Sequence, residues 1–268
     1  MTGPDDGNLD AQNATFWDEL CGTSMAKSVG VTGRTADDLR KFDAAYLDFY
    51  PYLGAYIPDD LSNKRTLEIG LGYGTLGGML VERGARYTGV DISPGPVAMM
   101  EHRIALAGRA GACDAQQGSA LALPFPDGEF DAVYTIGCLH HTGNLALAIE
   151  EVRRVLRPGG SAVVMVYNRW SARRLVTAPR RALGALRSRA SAQAQARAKY
   201  DADQEGRAAP HTDFVSTRAL RKMFERYSDV TIAKRNIDVA HAPFLRRPLL
   251  ACRIDRLVGL DLYVRAVA

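Results

Sequence analysis

The chain has 268 residues, of which 47% are hydrophobic, 24% charged and 8% aromatic. That composition excludes a disordered or collagen-like chain, and the length suits one large domain or one domain with an attached lid. A net charge of +4 is too weak a bias to argue for nucleic acid. No apolar run is long enough to span a bilayer, so no membrane partner is expected. The polar, acidic start (Asp5, Asp6, Asp10) is unlike a secretory signal and points to the cytoplasm.

Residues 1–14 read as disordered. From Phe16 to about Tyr56 the pattern is helical and aromatic-rich, with Phe42, Tyr46, Phe49 and Tyr50 at three-to-four spacing and breaks at Pro51 and Pro58. The character then changes to alternating strand and helix. Arg65 to Gly70 reads as a first strand, and Thr75 to Arg83 as a helix closed by Gly84. Tyr87 to Asp91 reads as a second strand. Pro94 opens a helix that runs to about Ala107. Ala112 to Gln117 is a weak third strand and Phe130 to Ile136 a stronger fourth. Asn144 suits an N-cap, and Leu145, Ile149, Val152 and Leu156 share one face of the helix after it. Pro158-Gly-Gly160 ends that helix. Ser161 to Tyr167 is a continuous apolar run, the mark of a strand buried on both faces. This alternation predicts a doubly wound, mostly parallel sheet.

Residues 169–200 hold nine Arg or Lys and no Asp or Glu, among many alanines. They read as a basic helical insertion, either a solvated surface or a receiver for an acidic substrate or carrier. Interleaved aromatics are lacking, which argues against a base-stacking RNA site. Ser216 to Tyr227 reads as a further helix, and Val230 to Arg235 and Leu262 to Val267 as late strands. Cys21, Cys113, Cys138 and Cys252 form no C-x-x-C pair, and no His/Asp/Glu cluster has metal-ligand spacing, so no metal is expected.

In a doubly wound sheet, ligands bind at the carboxyl ends of the strands. Here the first strand ends in Glu68-Ile-Gly70-Leu-Gly72-Tyr-Gly74, and Asp91 closes the second about 20 residues later. A carboxylate there accepts hydrogen bonds from both hydroxyls of a ribose. Gly72, Gly74 and Gly77 also satisfy the dinucleotide pattern G-x-G-x-x-G. Glu68 suits a cationic ligand better than a pyrophosphate.

Leu67-Glu-Ile-Gly-Leu-Gly-Tyr-Gly74, Tyr87-Thr-Gly-Val-Asp-Ile-Ser93, Leu123-Pro-Phe-Pro-Asp-Gly-Glu-Phe-Asp131, Leu139-His-His141 and Val155-Leu-Arg-Pro-Gly-Gly160 occur in order. Over residues 65–168 the chain resembles the class I S-adenosylmethionine-dependent methyltransferases. Phe16-Trp17, Cys21-Gly22-Thr23, Ala209 to Ser216 and Leu262 to Arg265 are similar to a bacterial, type 11-like, small-molecule branch. The resemblance implies a seven-stranded sheet with an N-terminal helical lid and an inserted cap. It divides the chain into a disordered start and lid (1–60), a cofactor-binding core (61–168), a basic cap (169–216) and the closing helix and strands (217–268).

The resemblance implies that Gly70, Gly72 and Gly74 line the methionine part of S-adenosylmethionine, that Asp91 holds the ribose and that Ile92 packs on adenine. Trp17, Glu68, Tyr73, Ser119, Ala120 and Ile136 complete the expected cofactor site, with Trp17 and Tyr73 suited to cover a sulfonium. One departure stands out. Where the family often has Gly-Asp-Ala, with the aspartate reaching the adenine amine, this chain has Gly118-Ser119-Ala120. Ser119 offers a hydrogen bond there without charge.

His140 and His141 follow the fourth strand where the methyl group should sit, and either suits a general base or lines the pocket. His140 is slightly favoured. Tyr167 is a candidate to orient substrate, and His211 a candidate to face the acceptor. The expected partner is a small-molecule acceptor, plausibly a natural-product intermediate, with no nucleic acid; monomer and homodimer both stay open. A nicotinamide-dependent oxidoreductase and a non-catalytic cofactor-binding protein are the competing readings.

Overall fold

The computed structural model describes residues 6–19, 23–176, 200–203, 205–237 and 246–268. Leu20, Cys21, Gly22 and most of the basic stretch (177–199) lie outside the described residues; residues 172–176 of that stretch are helical.

The elements follow in chain order. Helix α1 spans Asp6–Trp17, α2 Thr23–Ser28 and α3 Ala36–Phe49, followed by a 3₁₀ turn at Leu53–Tyr56. The alternating core is β1 Arg65–Ile69, α4 Thr75–Glu82, β2 Arg86–Asp91, α5 Pro94–Leu106, β3 Asp114–Gln117, β4 Phe130–Ile136, α6 Leu145–Val155 and β5 Leu156–Tyr167. Helix α7 (Thr217–Met223), β6 (Ser228–Arg235) and β7 (Asp261–Val267) close the sheet. The seven strands run in the order β3-β2-β1-β4-β5-β7-β6. Only β7 is antiparallel to its neighbours, β5 and β6.

Local chemistry sets the ends of these elements. Thr35 and Asp38 form a reciprocal capping box at the start of α3. The helix stops at Phe49 before Pro51, which cannot continue it. Asn144 caps α6 by accepting from Leu147 N. Ser216 does the same for α7, from Ala219 N, and that helix is shorter than its pattern suggests.

The run in β5 is buried on both faces because successive side chains alternate. Val164 and Val166 join Leu67, Val133 and Leu262 beneath α6 and α7. Val163 and Met165 join Tyr87, Tyr134 and Tyr263 on the opposite face, with α4 and α5. The sheet is thus sandwiched between two helical layers, and chain order reverses between β1 and β4. That reversal places a crevice at the carboxyl ends of β1, β2 and β4.

Two expectations are corrected. Residues 6–14 are not disordered; they open α1. The helix is held by polar contacts that an apolar-content argument does not weigh. Asn13 Nδ2 donates to the His141 carbonyl (2.9 Å), Ser93 Oγ to the Ala14 carbonyl (2.9 Å) and Gly95 N to Asp18 Oδ1 (2.6 Å). Pro158-Gly-Gly160 likewise does not end α6: the helix stops at Val155 and the tripeptide lies within β5. Leu156 already pairs with Phe130, and the register slips before Ala132 meets Ser161. Gly159 and Gly160 exchange hydrogen bonds with Ala268, so the chain end pairs with this segment.

Candidate active site

The crevice is a cavity whose floor is the glycine turn after β1. Gly70, Gly72 and Gly74 have φ of 83°, 51° and 77°, a region that disfavours other residues. At Gly70 a β-carbon would also lie 2.4 Å from Cys138 Cβ. Gly77 serves packing: its β-carbon would sit 2.6 Å from Glu68 Oε2.

Asp91 closes one side. Its Oδ2 accepts from Leu71 N (2.8 Å) and its Oδ1 from Ser93 N (2.9 Å). Burial raises its pKa, against the pull of those backbone donors. Each oxygen keeps acceptor capacity for a ligand. Glu68 lies beneath, buried, with the Tyr87 hydroxyl donating to Oε2 at 2.6 Å. Burial pushes its carboxyl up to about 8. Tyr87 is a partner that the sequence pattern did not single out.

Helix α3 clamps the turn. Arg103 pairs with both oxygens of Asp43 (2.9 and 2.8 Å) and donates to the Tyr73 carbonyl (2.8 Å). Thr75 Oγ1 donates to Asp43 Oδ1 (2.6 Å). The Tyr73 ring stacks on Phe42 with centroids 4.1 Å apart.

The cavity is lined by Trp17, Glu68, Gly70, Gly72, Tyr73, Gly74, Asp91, Ile92, Ser119, Ala120 and Ile136, and by His141. Asp10 and Asn13 of α1 also line it, and sequence reasoning missed both. Their signal was the i, i+3 spacing of two polar side chains, invisible while the segment was read as unstructured. The Ser119 hydroxyl donates to Asp10 Oδ2 (2.7 Å) and accepts from Leu121 N (3.2 Å), so its only proton is committed within the protein.

His140 and Tyr167 lie outside that lining, behind His141. The ring of His140 stands 4.2 Å from both the His141 and Tyr167 rings. It is fully buried and neither nitrogen has a partner. Burial holds its pKa well below the usual imidazole range. His141 faces the cavity with its ring 4.7 Å from Trp17. Its Nδ1 lies 2.7 Å from the His211 carbonyl. A carbonyl only accepts, so Nδ1 carries the proton and Nε2 the lone pair. Asp201 Oδ2 lies 3.8 Å from Nε2, and Oδ1 accepts from the Tyr167 hydroxyl (3.0 Å). Burial lowers the His141 pKa, partly offset by Asp201. His211 therefore acts here through its backbone; its ring pairs with Asp213 at 3.1 Å. Among the described residues no group of His, Cys, Asp and Glu could hold a metal ion, and no helix is long and apolar enough to cross a membrane.

The residues present fit S-adenosylmethionine. The glycine turn admits close approach, Asp91 meets a ribose, Glu68 suits a cation, and Asn13 Oδ1 is a buried acceptor without a partner. A pyrophosphate would meet the carboxylates of Glu68 and Asp10 instead.

Comparison with known proteins agrees. Residues 67–164 match the methyltransferase domain family. Over 103 residues the chain is 39% identical to the fatty-acid O-methyltransferase of Mycolicibacterium smegmatis, spanning 38% of this chain and 36% of that protein. Over 106 residues it is 38% identical to the demethylmenaquinone methyltransferase of Thermus thermophilus, spanning 39% and 47%. The chain therefore aligns with less than half the length of these curated relatives. A solved S-adenosylmethionine-dependent methyltransferase from Mesorhizobium loti shares the fold with a TM-score of 0.55 and 20% identity, covering 82% of this chain and 97% of that one. The seven-stranded sheet is the fold of the class I S-adenosylmethionine-dependent methyltransferases. Residues 67–164 of the chain carry the methyltransferase domain, and the cavity built on it fits S-adenosylmethionine.

Proposed function

We propose that this chain methylates a hydroxyl oxygen of a small, largely apolar molecule. The observation that carries the reading is His141, buried and facing the cavity with Nδ1 held at the His211 carbonyl, which leaves Nε2 to accept a proton. When bound, S-adenosylmethionine supplies an activated methyl group. Glu68, Gly70, Gly72 and Asp91 would hold it, and it would supply the methyl group that replaces the acceptor's hydroxyl proton. The hydroxyl proton passes to His141 Nε2, and Asp201 steadies the imidazolium that results. Tyr167 positions Asp201 through its hydroxyl. General base catalysis of this kind contributes about 10² to 10⁴ in rate. Alignment of the two reactants supplies much of the remainder.

An apolar acceptor is supported by the aromatic side chains Trp17, Phe42 and Tyr46, which line the same cavity as His141. The names of the relatives, which cite a fatty acid and demethylmenaquinone, support a small lipid-like or quinone-like acceptor. The division into lid, core and cap is part of this reading. The test is an acceptor screen by mass spectrometry, comparing hydroxylated lipids and phenols with their O-methylated forms. Product should gain one methylene only where a free hydroxyl is present. Equal methylation of compounds with the hydroxyl blocked would sink the reading.

A further inference from the structure

The position at which the family resemblance implies a carboxylate holds Ser119. The structure brings a carboxylate back to this place from elsewhere. Asp10 of α1 lines the same cavity as Ile92, and its Oδ2 takes the Ser119 hydroxyl at 2.7 Å. Ser119 is in turn fixed by Leu121 N. Among the described residues no other protein donor meets this carboxylate. Three residues on, Asn13 is 5% exposed and its Oδ1 has no partner, although its amide nitrogen holds the His141 carbonyl. One face of α1 therefore brings Asp10 and Asn13 to the cavity, where Ser119 meets one oxygen of Asp10 and Asn13 Oδ1 has no protein donor. A buried acceptor left this way is costly unless a ligand donor meets it.

We propose that Asp10 reads the exocyclic amine of the cofactor's adenine, with Ser119 as its positioning residue. Seating of α1 and selection of the base are then one event. The same helix holds the backbone of His141 through Asn13 and contacts the loop after Asp91 through Ala14 and Ser93. A bound adenine thus steadies the helix that aligns the proton-accepting histidine. This inference rests on the assignment of the cavity to S-adenosylmethionine.

The test is calorimetry on the full chain with two ligands, S-adenosylhomocysteine and S-inosylhomocysteine. The second replaces the amine, a donor, with a carbonyl, an acceptor. The unaltered chain should prefer the adenine ligand by about 10-fold or more, the value of a charge-assisted hydrogen bond. Asp10→Ala should lose that preference and weaken adenine binding by a similar factor. Asp10→Asn, whose amide can turn its donor to a carbonyl, should shift the preference toward the inosine ligand. The exchange Asp10→Ser with Ser119→Asp should restore the adenine preference. If Asp10→Ala weakens both ligands equally, or neither, the proposal is overturned while the cofactor assignment stands. If the unaltered chain binds neither ligand, both fall. Melting temperatures of the ligand-free variants separate loss of recognition from loss of fold.

Discussion

The two ends of the cavity are built in different ways. The cofactor end is made of residues close in sequence: the glycine turn, Glu68 and Asp91 lie within 24 residues of chain, from Glu68 to Asp91. Its chemistry is largely backbone, with amides of Leu71 and Ser93 fixing one carboxylate. The acceptor end is made of side chains from distant segments. His141 meets His211, 70 residues away, and Asn13, 128 residues away. Tyr167 meets Asp201 across 34 residues. A turn specified locally leaves a readable pattern. A cluster gathered by tertiary packing leaves residues that look ordinary until the fold brings them together.

The largest expected effect breaks the cofactor end. Gly70→Val must adopt a φ of 83° with a β-branched side chain, and its β-carbon would overlap Cys138. The turn has to move, so S-adenosylhomocysteine affinity should fall at least about 100-fold, with the sheet still folded. Calorimetry and far-ultraviolet circular dichroism check both halves of this expectation. Binding within a few-fold of the original would mean that the turn after β1 is not the cofactor edge.

The acceptor end breaks more selectively. His141→Ala should lower turnover by about 10² to 10⁴ while cofactor affinity changes little. Its pH profile sharpens the point. Burial lowers the His141 pKa, so His141 stays neutral and active down to a pH below the ordinary imidazole value of about 6.5. The negative charge of Asp201 opposes that lowering. Asp201→Asn should therefore move the acidic limb of kcat to lower pH. An unchanged limb, or one that moves upward, would exclude Asp201 as the partner of the base.

Asp91→Asn tests the hinge between the two ends. The amide keeps the shape but loses the charge that strengthens ribose contacts, which are each worth about 1.5 to 3 kcal/mol to a charged partner. Cofactor affinity should fall by about 10-fold or more, and kcat at saturating cofactor should stay near its original value. Loss of kcat with affinity retained would place Asp91 in the chemistry instead.

The contrast also explains what could be read in advance. The strands from Arg65 to Tyr167 follow from period and turn residues, because burial on two faces demands continuous apolar runs such as Val163 to Val166. The cavity-lining carboxylates Glu68 and Asp91 follow because they sit at or next to the strand ends. Helix α1 did not, because hydrogen bonds to Ser93, Gly95 and His141 stabilise it, and its apolar face is weak. Asp10 and Asn13 were hidden with it. Sequence alone does not separate His140 from His141, because adjacent histidines are equivalent there. The 3₁₀ turn at Leu139–His141 turns one ring to the cavity and one to the core.

The smallest expected effect concerns Glu68, where burial and the partners of one carboxylate oppose each other. Burial pushes its pKa up to about 8, while the hydroxyl of Tyr87 and the charge of Arg103 pull it down. Near neutral pH the carboxyl is therefore largely protonated without ligand. A cationic ligand favours the ionised form, so binding should release a proton from Glu68. The ligand's own amino group titrates as well, and comparison with Glu68→Gln cancels that contribution. The ratio of original to Glu68→Gln affinity for S-adenosylmethionine, whose sulfonium keeps its charge at every pH, should be near one at pH 6, where both side chains are neutral. It should rise as pH passes through about 8 and level off above it. The rise should be several-fold, up to about 10-fold, the scale of a charge-assisted contact. Tyr87→Phe removes a donor that favours the carboxylate, so it should shift the same rise to higher pH. Calorimetry in buffers of different ionisation enthalpy measures the proton released. A ratio that is flat or falls with pH would show that Glu68 acts only by packing beneath Gly77 and not on the ligand's charge.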